Sequence, residues 1–252
     1  MADYSYYENR LADIIMRGYE LRAMLCGVEL RFNPYHDDKG RFCSGSGLDI
    51  LHGYGIIKVG SENVALEYQR YGRNKDTLVN KTYIDGGEYR RKFDTLTDKP
   101  DVNKAIYDKA KMALKHRSGT ELEDMYWFDS NTGTVIAQEI DSTDKRSITY
   151  SDKTRLAVEK HDDLIALHTH PSSMPPSAAD FNSCFRNRYK IGYIACHNGK
   201  VFAYKSSQEI SENLYELYIS DYISSGLSEY EAQLNTLNKI KENHAIDFWE
   251  VL

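Results

Sequence analysis

Leu164-Ile165-Ala166-Leu167-His168-Thr169-His170-Pro171-Ser172-Ser173-Met174-Pro175-Pro176-Ser177-Ala178-Ala179-Asp180-Phe181 is the stretch on which the fold turns. Its first four residues form a compact apolar run that suits a buried strand, and two histidines follow at once. Side chains alternate along a strand, so His168 and His170 point to one face and two imidazoles meet one point. Three of the chain's five prolines, Pro171, Pro175 and Pro176, stiffen the loop beyond them. Ser177 then reads as an N-cap, with Asp180 in the first helical turn, where its carboxylate can be aimed back at the histidines. Imidazole is a favoured zinc ligand, and three protein ligands with an open fourth position make a catalytic site; Asp180 is the candidate third ligand beside His168 and His170. Each element alone has a plainer account, since His-x-His pairs occur by chance and Ser-x-x-Asp is a common capping pattern. Their combination around one strand and one stiff loop favours a metal.

The flanking sequence predicts the rest of the domain. Pro100 opens a helix over 100–116, with Val102, Ile106, Ala110 and Leu114 on one stripe and His116-Arg117-Ser118-Gly119 closing it. Met125-Tyr126-Trp127-Phe128-Asp129 and Thr134-Val135-Ile136-Ala137 read as a β-hairpin turned at Ser130-Asn131-Thr132-Gly133. Residues 146–150 add a strand, 151–161 suit a helix, and the central strand stops at His168. Ala178 to Asn187 can be helical, and 190–196 with 200–204 form a second hairpin around Asn198-Gly199. An α/β sheet domain is therefore expected over 100–205. Around it lie an N-terminal helical segment (1–32), a Gly-, Ser- and Asp-rich flexible linker (33–47), a poorly specified region of short strands (48–99), and a C-terminal helical extension (206–252).

Composition narrows the function classes. The chain has 252 residues, 41% of them hydrophobic, and a formal charge of −6, which gives no global reason to bind nucleic acid or an anionic membrane. No apolar run is long enough to span a bilayer and the first residues lack a signal-peptide pattern, so a cytoplasmic location is expected. Cys26, Cys43, Cys184 and Cys196 lie far apart, which argues for reduced thiols rather than a cysteine zinc site. His197 before Asn198-Gly199 suits a turn, His36-Asp37-Asp38 a solvated linker, and Arg186-Asn187-Arg188-Tyr189-Lys190 a cationic helix end.

The compound motif resembles that of the JAB/MPN, or JAMM, zinc metallopeptidases, including their RadC-like branch in bacteria and phages. That motif is an upstream glutamate, then His-x-His-Pro, a loop and Ser-x-x-Asp, matched here by Glu121, His168-Thr169-His170-Pro171 and Ser177-Ala178-Ala179-Asp180. The loop between His170 and Ser177 is one residue shorter than the family's usual seven. The resemblance covers 100–205 and implies a JAB/MPN-like, cytidine-deaminase-like mixed sheet flanked by helices. It further implies that His168, His170 and Asp180 bind zinc with water in the fourth position, that a glutamate serves as general acid/base, and that Ser177 stabilises the oxyanion. Glu121 stands at the family's offset before a core strand and is the expected base; Glu123 is the second choice and Glu139 the third. More loosely, Glu88 to Phe93 and the run through Glu121 look like JAB-domain proteins of prophages and mobile elements.

The expected function is thus a zinc-dependent peptidase or isopeptidase-type amide hydrolase of phage or mobile-element origin. Its substrate would be a peptide or protein, such as a ubiquitin-like protein or a phage structural protein. The competing expectation is a non-catalytic JAB-fold binding or assembly module, with helices over 5–25 and 208–249 as docking surfaces. A RadC-like role in DNA metabolism has least support, given the net charge. The sequence does not set an oligomeric state.

Overall fold

A computed structural model describes residues 29–30, 57–58, 73–145 and 147–252, and the chain divides into two compact units, Met1–Arg70 and Tyr71–Leu252. In the first unit, the described residues form two short antiparallel strands, β1 (Glu29–Leu30) and β2 (Ile57–Lys58), with Glu29 opposite Lys58. The helix expected over 5–25, the linker over 33–47, Cys26, Cys43 and His36 lie outside the described residues.

In the second unit the chain runs through α1 (Lys81–Ile84), α2 (Gly87–Arg91) and α3 (Pro100–Arg117) into the hairpin of β3 (Met125–Asp129) and β4 (Val135–Glu139). It continues through α4 (Asp152–Glu159), β5 (Leu164–His170), α5 (Ala178–Arg186), β6 (Tyr189–Cys196) and β7 (Val201–Ser206), then α6 (Glu212–Ser224), α7 (Glu229–Lys241) and β8 (Ile246–Glu250). The six strands of this unit form one mixed sheet in the order β4-β3-β5-β6-β7-β8. Only the β5–β6 pair is parallel, and α5 makes the crossover between them.

Both faces of the sheet are covered. Tyr126, Phe128, Ile165, Leu167 and Tyr193 pack against Ile84, Tyr89, Phe93, Ile106 and Leu114 on one side. Trp127, Leu164, Ala166, Ile194 and Tyr204 pack against Val158, Phe181, Tyr215 and Leu237 on the other. A strand buried on both faces needs no polar alternation, which is why the first four residues of β5 read as an unbroken apolar run. Local signals end the elements where propensity predicts: α3 has Pro100 in its first turn and Lys115, His116 and Arg117 in its last, and Gly119 just beyond takes a φ of +82°.

Several expectations change. The central strand does not stop at His168, because the antiparallel pairing of Met125 with His168 and the parallel pairing of His170 with Cys196 carry the ladder two residues further. Residues 147–150 form no strand; Tyr150 instead sets its ring edge-on against Trp127. Thr82-Tyr83-Ile84 lies in a helix, since the Asn80 side chain caps the Tyr83 N–H. The stretch 208–249 is two helices split at Gly226, whose φ is +95°, and its end becomes β8. Ile246-Asp247-Phe248-Trp249-Glu250 pairs with β7, so this stretch belongs to the sheet rather than to an appended helical extension. The compact unit accordingly extends beyond 100–205 at both ends. Among the described residues, no helix is long and apolar enough to cross a membrane.

Candidate metal centre

The geometry begins with register. β3 and β5 run antiparallel with Met125 opposite His168, and just before β3 the Asp124 N–H donates to Thr169 Oγ1 at 3.1 Å while Asp124 O accepts from the Thr169 N–H at 3.1 Å. This exchange continues the ladder by one step and sets Glu123 opposite His170. Facing residues on paired strands share a side of the sheet, so Glu123, Met125, His168 and His170 fall on the face that α5 covers. Ligand atoms of Glu123, His168 and His170 all lie within 4.8 Å of one another.

Asp180 completes the group from the first turn of α5. Its Oδ2 accepts from Ser177 N at 2.7 Å and Ser177 Oγ at 2.8 Å, and Ser177 Oγ accepts from Asp180 N at 3.3 Å, a closed capping box. The cap leaves Oδ1 turned to the histidines, 3.1 Å from His168 Nε2, while Oδ2 is 3.6 Å from His170 Nε2. The two Nε2 atoms are 3.0 Å apart. Tetrahedral zinc with ligands at about 2.0–2.1 Å places neighbouring ligand atoms roughly 3.3 Å apart, so two imidazole nitrogens and a carboxylate oxygen at these separations fit that ion. His170 Nδ1 donates to Met174 O at 2.9 Å, which leaves the Nε2 lone pair free for a cation. His168 Nδ1 is buried without a partner, so this ring lacks the corresponding outward hydrogen bond.

Electrostatics separates the two carboxylates. Burial alone would raise the Asp180 pKa, but the His168 and His170 imidazoles and the Ser177 N–H hold it well below the usual carboxylate range. Desolvation instead pushes Glu123 up to about 7; His170 opposes that rise and the Asp180 carboxylate adds to it. One acid is thus kept ionised beside the nitrogens while the other is poised to exchange a proton near neutrality.

Of the sequence candidates, His168, His170 and Asp180 are brought together, and Ser177 lies beside them with its hydroxyl engaged in the cap. Glu121 is not. Its side chain is 62% exposed and pairs with Lys145 at 2.5 Å, because the chain bends at Glu121, before the pairing of β3 with β5 begins. Glu139 is spent on α4, where it accepts from Ser151 N and Oγ. His197 donates from Nδ1 to Thr77 O and takes no place in the cluster. The cationic helix end pairs Arg186 with Glu209 and Arg188 with Asp162.

One supporting residue escaped sequence reasoning altogether. Tyr204 lies under the site, its ring edge-on to both His168 and Phe181. The signal for it was Gly192, a glycine inside a strand, which often marks a close approach by another group. Compared with known proteins, the chain matches no protein-family model, no curated protein and no solved structure.

Proposed function

We propose that this chain is a zinc-dependent amide hydrolase of the peptidase or isopeptidase type, built on a JAB/MPN-like arrangement of its mixed sheet. The observation that carries the proposal is the meeting of His168 Nε2, His170 Nε2 and the Asp180 carboxylate within 3.0–3.6 Å, with the Glu123 carboxyl beside them. When bound, zinc would lower the pKa of water to about 7 and polarise a carbonyl. His168, His170 and Asp180 would hold the ion; Ser177 keeps Asp180 in its rotamer, and the Met174 carbonyl keeps His170 in the tautomer that presents Nε2. Glu123 is the general acid/base: its carboxylate takes the proton of the attacking water, and the resulting carboxylic acid returns it to the leaving amine. The substrate is a peptide or protein amide.

The test compares zinc content and peptide-library cleavage, followed by mass spectrometry, for the wild type, Glu123→Gln and Glu121→Gln. About one zinc per chain is expected in all three. Cleavage should fall by about 10²- to 10⁴-fold in Glu123→Gln and stay at the wild-type rate in Glu121→Gln. No zinc in the reconstituted wild type would overturn the enzyme and leave a binding module. A dead Glu121→Gln beside an active Glu123→Gln would overturn the assignment of the base.

A further inference from the structure

We infer that Gln233, on α7, is a positioning residue for the metal centre: its amide holds the loop between His170 and Asp180 in the shape that makes the ligands converge. This rests on the zinc reading above. The loop buries Pro171, Ser173, Met174, Pro175 and Pro176, and its prolines bring carbonyls but no N–H groups. Buried carbonyls need donors from elsewhere. Gln233, itself buried, supplies both amide hydrogens, with Nε2 at 2.9 Å from Pro175 O and 3.0 Å from Pro176 O. Tyr215 on α6 adds a weaker bond from its hydroxyl to Pro176 O at 3.4 Å.

The two held carbonyls sit at the joint between the ligands. One residue upstream, Met174 O accepts from His170 Nδ1; one residue downstream, Ser177 opens α5 and fixes Asp180. Ser173 in the same loop has a φ of +56°, a backbone state that a residue other than glycine keeps only when its surroundings impose it. The α6–α7 hairpin is therefore part of the support of the site, not an appendage to it.

Zinc release from the zinc-loaded full chain into a chromophoric chelator tests this, with His170→Ala as the control that lacks a ligand. Gln233→Met keeps length and removes both donors, and should speed release about 10-fold, the scale of lost outer-sphere support. Gln233→Glu sets a carboxylate against two carbonyls and should release faster still, whereas a packing role alone would make Met equal to Gln. Tyr215→Phe should show a smaller change in the same direction, and it decides the question if Gln233→Met does not fold. Lowered stability of the metal-free protein with zinc release unchanged would overturn the positioning role while leaving the zinc reading intact. Zinc uptake by wild type no greater than by His170→Ala would overturn both.

Discussion

Substituting alanine at Gly192 should cost about 3 kcal/mol of folding stability, and the cost can be followed from atom to atom. Gly192 in β6 pairs with Tyr204 in β7, and the tyrosine ring lies across the glycine. A Cβ added there would stand 2.1 Å from Tyr204 Cζ, 2.4 Å from Cε1 and 2.5 Å from the hydroxyl oxygen. Carbon atoms in ordinary contact sit about 3.5–4.0 Å apart, so the ring must retreat by more than an ångström. It has nowhere to go. Tyr204 is fully buried, with Phe181 edge-on at 5.6 Å and His168 at 6.1 Å between ring centroids. Overpacking a core typically costs about 1–3 kcal/mol, and a rigid buried ring packed against two others belongs at the upper end of that range.

A urea titration of a double-mutant cycle isolates the term. Tyr204→Ala alone should lose about 3–5 kcal/mol, as expected for a buried aromatic. In that background Gly192→Ala meets no ring and should cost nearly nothing, giving a coupling of about 3 kcal/mol. If Gly192→Ala lies within about 0.5 kcal/mol of wild type, or costs as much without the ring as with it, the contact argument fails.

Two further outcomes follow from buried groups. Asp124 is fully buried between Arg117 Nε at 2.5 Å and His116 Nδ1 at 2.7 Å, while Arg117 also donates to Ile140 O. Asp124→Ala strands the guanidinium and should cost about 3–5 kcal/mol by urea titration; a loss below about 1 kcal/mol would show that the pair is well hydrated. Burial pushes the Cys184 thiol up to about 11 and raises that of Cys196 as well. Both should stay unmodified when the native protein is treated with iodoacetamide at pH 8 and its peptides are mapped, and rapid alkylation of either would mean that its face of the core opens readily.

The parts of the fold that could be read from the sequence are those that local chemistry decides. The apolar run of β5, the turn at Asn131-Thr132-Gly133 and the Ser177 cap each announce themselves within a few residues, and the structure puts elements there. β8 could not be read this way, because Ile246–Glu250 follows directly on a helical pattern and becomes a strand only by pairing with β7, some forty residues away in sequence. Glu121 and Glu123 show the same limit on a finer scale. Both are two-residue steps along one strand face, so periodicity cannot separate them. What separates them is where the ladder ends, and that is set by the exchange between Asp124 and Thr169, a contact across 45 residues. Gln233 was invisible for the same reason, since it carries no local mark of what it touches, and Tyr204 was signalled only by Gly192, its partner on the neighbouring strand.

The hold of Gln233 on the proline loop also sets an order of events during synthesis. Pro175 leaves the ribosome 58 residues ahead of Gln233, which at about 5–20 residues per second is roughly 3–12 s. For all but the first five residues of that interval both histidines, Glu123 and Asp180 are already made, yet the loop joining them has no amide to hold its carbonyls. A nascent chain thus carries all four side chains of the candidate centre before it carries the geometry that brings them together. The geometry of the candidate centre dates from the docking of α7, among the last elements to be made.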